Sequence, residues 1–320
     1  MKKEKVALWG YIDKSGNFII EPKFFGAANF HEDLAAVRTD CLFGYIDKSG
    51  VFVVEPKFQQ ADNFKDGIAR VMIDDRWGYI NHDGTFAIKA IFDKIGEFKT
   101  GLSMIKLGQK YGYVDRNGNY IAEPKFDFVG EFHEGFAWMK IDGKYGYINE
   151  DGEYAIAPEF EVANDFHEGL AAVGDGEKYG YIDRNGKFRI PMIFDIAENF
   201  KDGVARVKVD GKTSFIDKHG NPTADPERPE FFEPNNFRDG LAPKKDGDKY
   251  GYIDESGSFV IQPVFYQAEL FCEGMARVRT GARAKWGYID KTGEFAFKEK
   301  FSEAMDFKDG IARVMVERTA

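Results

Sequence analysis

Cysteine is almost missing from this chain: Cys41 and Cys272 are its two thiols among 320 residues. Two cysteines so far apart supply neither a disulfide framework nor a zinc site, and they fit a reducing compartment. No apolar run approaches the length of a membrane-spanning helix, and the opening MKKEKVALWGYID lacks the apolar stretch of a secretory signal. The expected location is the cytoplasm, with no membrane partner. Basic excess is missing too. Against 54 acidic residues stand 44 lysines and arginines, giving a net charge of −10 and a pI near 5.2. A phosphate-tracking surface is therefore not expected, nor a nucleic-acid partner. Helical periodicity is absent throughout. Of five histidines, His31, His133 and His167 share a recurring position that is Lys65, Lys99, Lys201 or Lys308 elsewhere. Exchange with lysine marks an exposed polar site rather than a metal ligand. Nucleophile-elbow, phosphate-loop, zinc-protease and calcium-loop motifs are all lacking. The expectation is a protein without catalytic residues or cofactor, and so not an enzyme.

What the chain has is repetition. GYID or a close variant places a glycine at Gly10, Gly44, Gly78, Gly112, Gly146, Gly180, Gly251 and Gly287, with Ser214 in a degenerate copy, SFID. A fixed period of this kind means one supersecondary unit stacked on its neighbours. Nine units of about 34 residues are expected to form a single domain over residues 1–320, with those near 213–250 and 251–286 lengthened. Each unit reads as four segments. In one copy these are the stretch Phe58 to Phe64, then IARVMI, RWGYIN and TFAIKA. Between the third and fourth lies Asp/Asn-x-x-Gly, where the first side chain can accept backbone N–H bonds and glycine supplies a positive φ. A Phe-x-Asp/Glu-Gly corner joins the first two, and Asp142-Gly143 or Asp210-Gly211 marks the hairpin between the second and third. The unit is thus an antiparallel meander of three clear strands and a shorter one. An aromatic ring precedes most of the glycines (Trp9, Trp77, Trp286, Tyr111, Tyr145, Tyr179, Tyr250). That periodicity argues for a buried ladder, with glycine leaving room for a neighbouring backbone.

The aromatic-Gly-Tyr-Ile-Asp strand, the turn that follows, prolines at Pro22, Pro56, Pro124, Pro158 and Pro263, and the succeeding F-x-x-A-x-x-F-x-x-G-x-A-x-V resemble the WG-repeat (KWG-repeat) family over Leu8 to Glu317. The resemblance implies a bacterial binding and scaffolding repeat, with no catalytic residues to carry over. It also implies a protein partner, for a chain expected to be monomeric. The chain starts at a third segment and stops after a second, so joined ends would complete one unit from two strands each. That favours a closed or nearly closed β-propeller; an open β-solenoid is the alternative.

Function is expected where copies differ. The seventh unit carries Pro222, Pro226, Pro229 and Pro234, and Pro243 enters its second strand, which should then be interrupted or at an edge. This reads as a tolerated insertion or as a binding loop. The hairpin VRTGARAKWG carries Arg277, Arg279, Arg283 and Lys285, a cluster suited to an acidic partner or to plain solvation. Trp138 stands where other units have alanine or arginine, as a partner anchor or a packing residue. The residues before the second phenylalanine (Asn29, Asn63, Glu97, Glu131, Asp165, Asn199, Asn236, Asp306) are polar, with Leu270 the exception, to line a channel or to serve the corner. A small-ligand or hydrolytic role at a channel mouth is the alternative to a scaffold.

Overall fold

The computed structural model describes residues 5–223 and 237–319. It is all β, with no helix among the described residues, and its strands form nine antiparallel sheets in tandem. Among the described residues eight sheets have four strands and one has three. The sheet of Phe128–Val129, Phe136–Ile141, Lys144–Asn149 and Tyr154–Phe160 shows how sequence makes the unit. At its corner Glu134 and Gly135 have φ of 53° and 85°, a tight two-residue turn whose twist matches that of the strands it joins. In the last turn the Asn149 Oδ1 accepts the Asp151 and Glu153 N–H groups at 3.1 and 2.9 Å. Gly152 then turns with φ 80°.

The glycine of the repeat answers to the fourth strand, not to the ring beside it. Tyr145 pairs with Phe160 but Tyr147 with Ile156, so the fourth strand bulges between them, around Pro158. A Cβ on Gly146 would lie 2.6 Å from the Ile156 carbonyl and 2.8 Å from the Pro158 nitrogen. Proline suits the bulge because no ladder N–H is needed there. The preceding rings are half-buried, apart from Trp286, which is fully buried. Their exposed faces carry cations, with Lys140 4.8 Å over Tyr145 and Lys106 5.4 Å over Tyr111. The ladder is therefore only partly buried.

Both ends of the chain enter one sheet. Its order is Phe18–Phe24, Lys5–Ile12, Ala312–Thr319, Glu303–Ala304, two strands from each end, as the segment order predicts. The middle pair runs in unbroken register from Lys5↔Thr319 to Ile12↔Ala312. Pro243 pairs with Tyr252 in Ala242–Asp246, the edge of the three-stranded sheet among the described residues. Pro226, Pro229, Pro234 and Asn236 lie outside the described residues.

The chain divides into two compact units, Met1–Asp74 with Ile80–Thr85 and Phe232–Ala320, and Asp75–Tyr79 with Phe86–Phe231. Within each, neighbouring sheets share a core. In the second unit Tyr147, Ile156 and Phe160 pack with Ala171, Val173 and Ile182 of the next sheet. In the first, Ile12, Ala312 and Val314 pack with Trp286, Tyr288 and Phe297.

Polar links repeat alongside these cores. The Tyr147 hydroxyl donates to the Asn164 carbonyl of the next sheet at 2.7 Å, and Tyr11, Tyr45, Tyr181 and Tyr252 bond the same way at 2.6–2.7 Å. Corner carboxylates do likewise. Glu134 accepts the Glu168 and Gly169 N–H groups at 2.6 and 2.8 Å, and Glu273 accepts those of Asp309 and Gly310 at 2.6 and 2.9 Å.

Candidate functional site

Two registers inside the unit decide where charge is left over. The first joins the residue opening the third strand to the residue 17 positions later. Lys110 reaches Asp127 at 2.6 Å, Lys144 reaches Glu161 at 2.5 Å, Lys178 reaches Asp195 at 2.6 Å, and Arg76 pairs with Asp93. The ammonium of Lys110 holds the Asp127 carboxyl below the usual carboxylate range, and Lys178 does the same to Asp195. Near the C-terminal end the acids disappear while the bases stay. Lys249 faces a register position occupied by Tyr266, and Lys285 one occupied by Ser302. Lys249 instead donates to the Thr280 carbonyl at 3.2 Å.

A pocket of about 540 Å³ lies there, lined by Lys245, Asp248, Lys249, Tyr250, Tyr266 and Gln267. Tyr266 is 44% exposed. Arg279 lies beside two lining residues, because its strand pairs with Gln267 and its guanidinium lies 5.7 Å from the Tyr266 ring and 5.1 Å from Trp286. Its Nε is buried without a hydrogen-bond partner among the described residues. Arg283 and Lys285 are exposed on the loop that follows. Asp246, Asp248 and Glu269, which accepts from Gln267 at 2.9 Å, are the acids of these segments, against the cations Lys245, Lys249, Arg279, Arg283 and Lys285.

Arg277 does not join that group. It lies 5.5 Å from the ring of Trp286, donates to Asp306 and to the Ala304 carbonyl at 2.8 Å each, and comes within 3.8 Å of Glu269. With its side chain only 19% exposed, it ties its sheet to the next. Sequence reading could not see this, since Asp306 belongs to the following unit. Nor did it single out Lys245, Lys249 or Tyr266, although the lost acid 17 residues after Lys249 was there to be read.

The second register pairs a second-strand residue with the one eight positions earlier. Arg70 bonds Asp62 at 2.7 Å and Arg206 bonds Glu198 at 2.9 Å. At Trp138 the partner is Gly130, and a Cβ there would fall 2.4 Å from the indole Nε1. Trp138 is half-buried, edge-on to Tyr145 at 5.7 Å and packed against the core of Tyr147 and Phe160. Among the described residues no three His, Cys, Asp or Glu side chains gather as a metal site.

The profile of the WG containing repeat matches residues 9–40, 43–77, 77–111, 111–145, 145–179, 179–212, 250–282 and 286–318, passing over the degenerate seventh copy. No curated protein matches the chain. Among solved structures, a eukaryotic initiation factor aligns over 94% of this chain and 97% of its own at 13% identity and TM-score 0.38. Virginiamycin B lyase from Staphylococcus aureus aligns over 78% and 97% at 12% identity and TM-score 0.30. Hsv2p of Kluyveromyces lactis aligns over 78% and 90% at 10% identity and TM-score 0.33.

Proposed function

We propose that this chain, which belongs to the WG containing repeat family, is a non-catalytic interaction scaffold that takes an acidic segment of a partner protein into the groove beside Tyr250 and Tyr266. The observation that carries the reading is the loss of the register acids opposite Lys249 and Lys285, which leaves local positive charge on a protein of net charge −10. Arg279 lies against the rings of Tyr266 and Trp286, contacts that limit the side-chain freedom lost when it meets a carboxylate. The exposed Tyr266 ring offers flat apolar area beside the cations, the combination found at binding hot spots.

Contacts of this kind act mainly on association rate and salt response. A fluorescently labelled Glu- and Asp-rich peptide with interspersed tyrosine should therefore bind, and binding should weaken as salt rises. Combined Lys245→Glu, Arg283→Glu and Lys285→Glu substitution should abolish it with the melting temperature nearly unchanged, since all three side chains are exposed. Equal anisotropy for the acidic peptide and for its glutamine and asparagine counterpart would sink the reading.

A further inference from the structure

Arg313 breaks the eight-residue register in the opposite sense. Asp62 faces Arg70, Glu198 faces Arg206, and Glu269 lies 3.8 Å from Arg277. The corresponding partner of Arg313 is Met305. Deprived of an acid in its own sheet, Arg313 reaches into the next and donates to the Ala27 carbonyl. Its Nε is buried with no hydrogen-bond partner, and it forms no ion pair among the described residues. Burial, together with the nearby charge of Arg277, pushes its guanidinium below the ordinary range. The charge is thus held in a place that disfavours it.

The sheet it enters is hollow at the matching register. There the pair is Ala28 and Ala36, where Asp62 and Arg70, Glu198 and Arg206, Glu269 and Arg277 or Gly130 and Trp138 stand in other units. The two departures coincide in a pocket of about 220 Å³, whose lining includes Arg313, Asn29, Asn63, His31, Ala36 and Phe43. All of these belong to one compact unit. The pocket joins a cationic fork, two side-chain amides and an apolar floor.

We propose that this pocket binds a small organic carboxylate, with the acid group on Arg313, amide contacts from Asn29 and Asn63, and a short carbon chain over Ala36 and Phe43. The guanidinium can meet a carboxylate in two parallel hydrogen bonds through its terminal nitrogens, since the buried Nε has no open face of its own. The apolar floor favours an organic acid over an inorganic anion. The site is independent of the basic groove, and each stands or falls alone.

Calorimetric titration of the whole chain with acetate, butyrate, succinate and glutamate, against inorganic phosphate and neutral succinamide, tests the assignment. At least one carboxylate should bind one to one, and succinamide should not. Arg313→Met should weaken binding tenfold or more, and Arg313→Lys, which keeps the charge but not the fork, should weaken it too. Ala36→Leu fills the pocket while leaving Arg313 intact, so it should also abolish binding and decides the matter if the arginine variants fold poorly. Failure of every carboxylate to bind, binding by phosphate alone, or unchanged binding in Ala36→Leu would overturn the proposal.

Discussion

Two residues of the GY pair do different work. Tyrosine carries a hydroxyl across to the next sheet, and glycine admits the bulge of its own. Tyr147 is 1% exposed, and its hydroxyl bonds the Asn164 carbonyl. Tyr147→Phe leaves that carbonyl unmet and should cost about 1–3 kcal/mol in chemical denaturation. Burial pushes the phenols of Tyr11, Tyr45, Tyr113, Tyr147, Tyr181, Tyr252 and Tyr288 well above their ordinary value. Raised values mean stability that is whole below the unfolded pKa of about 10 and falls as pH climbs beyond it. Near-ultraviolet absorbance should then show these phenols ionising only as the protein unfolds. For glycine, a Cβ on Gly112 would sit 2.3 Å from the Ala122 carbonyl, whereas one on Gly96 meets nothing nearer than 3.6 Å. Gly112→Ala should cost at least the roughly 1–3 kcal/mol of core overpacking. Gly96→Ala should stay within about 0.5 kcal/mol. Equal melting temperatures for the two variants would contradict the bulge account.

Among elements, the corner turns do more than reverse the chain. Glu273 sits in a corner, yet accepts two N–H groups from the next corner and an ion pair from Lys14 at 2.9 Å. Lys14 above all, and then those N–H groups, hold its carboxyl below the usual range despite partial burial. A lowered value stabilises the fold above the unfolded pKa of about 4.3, and that contribution is lost as pH falls. Glu273→Gln should therefore lower stability at neutral pH and flatten its fall on acidification, read as melting temperature against pH. The turns themselves were legible in the sequence, because Asx acceptors and positive-φ glycines act over four residues. The four segments were legible for the same reason. The corner-to-corner links were not, since a carboxylate meeting backbone 35 residues away leaves no side-chain signature. The basic groove was half legible. Arg283 and Lys285 stood out, Arg277 was drawn away by an acid in another unit, and Lys249 mattered through an acid that was missing.

At the scale of the molecule, the sheet holding both ends is the one non-local strand pairing among the described residues, whose other sheets are built from neighbours. Removing residues 308–320 strips Lys5–Ile12 of its partner along the whole strand and bares the core of Ile12, Trp286 and Tyr288. The melting temperature should fall by much more than the fraying of one terminal strand, with loss of a single cooperative transition. A truncated chain that melts like the full-length one would show that the shared sheet carries no stability.

That sheet also sets an order of events during synthesis. Lys5–Ile12 can pair with Phe18–Phe24 as soon as both are made, but its other edge waits for Ala312–Thr319, far later in the chain. At about 5–20 residues per second the wait is on the order of 15–60 s. Throughout it, the edge of LWGYI lies open to any strand that arrives sooner, including that of a neighbouring nascent chain.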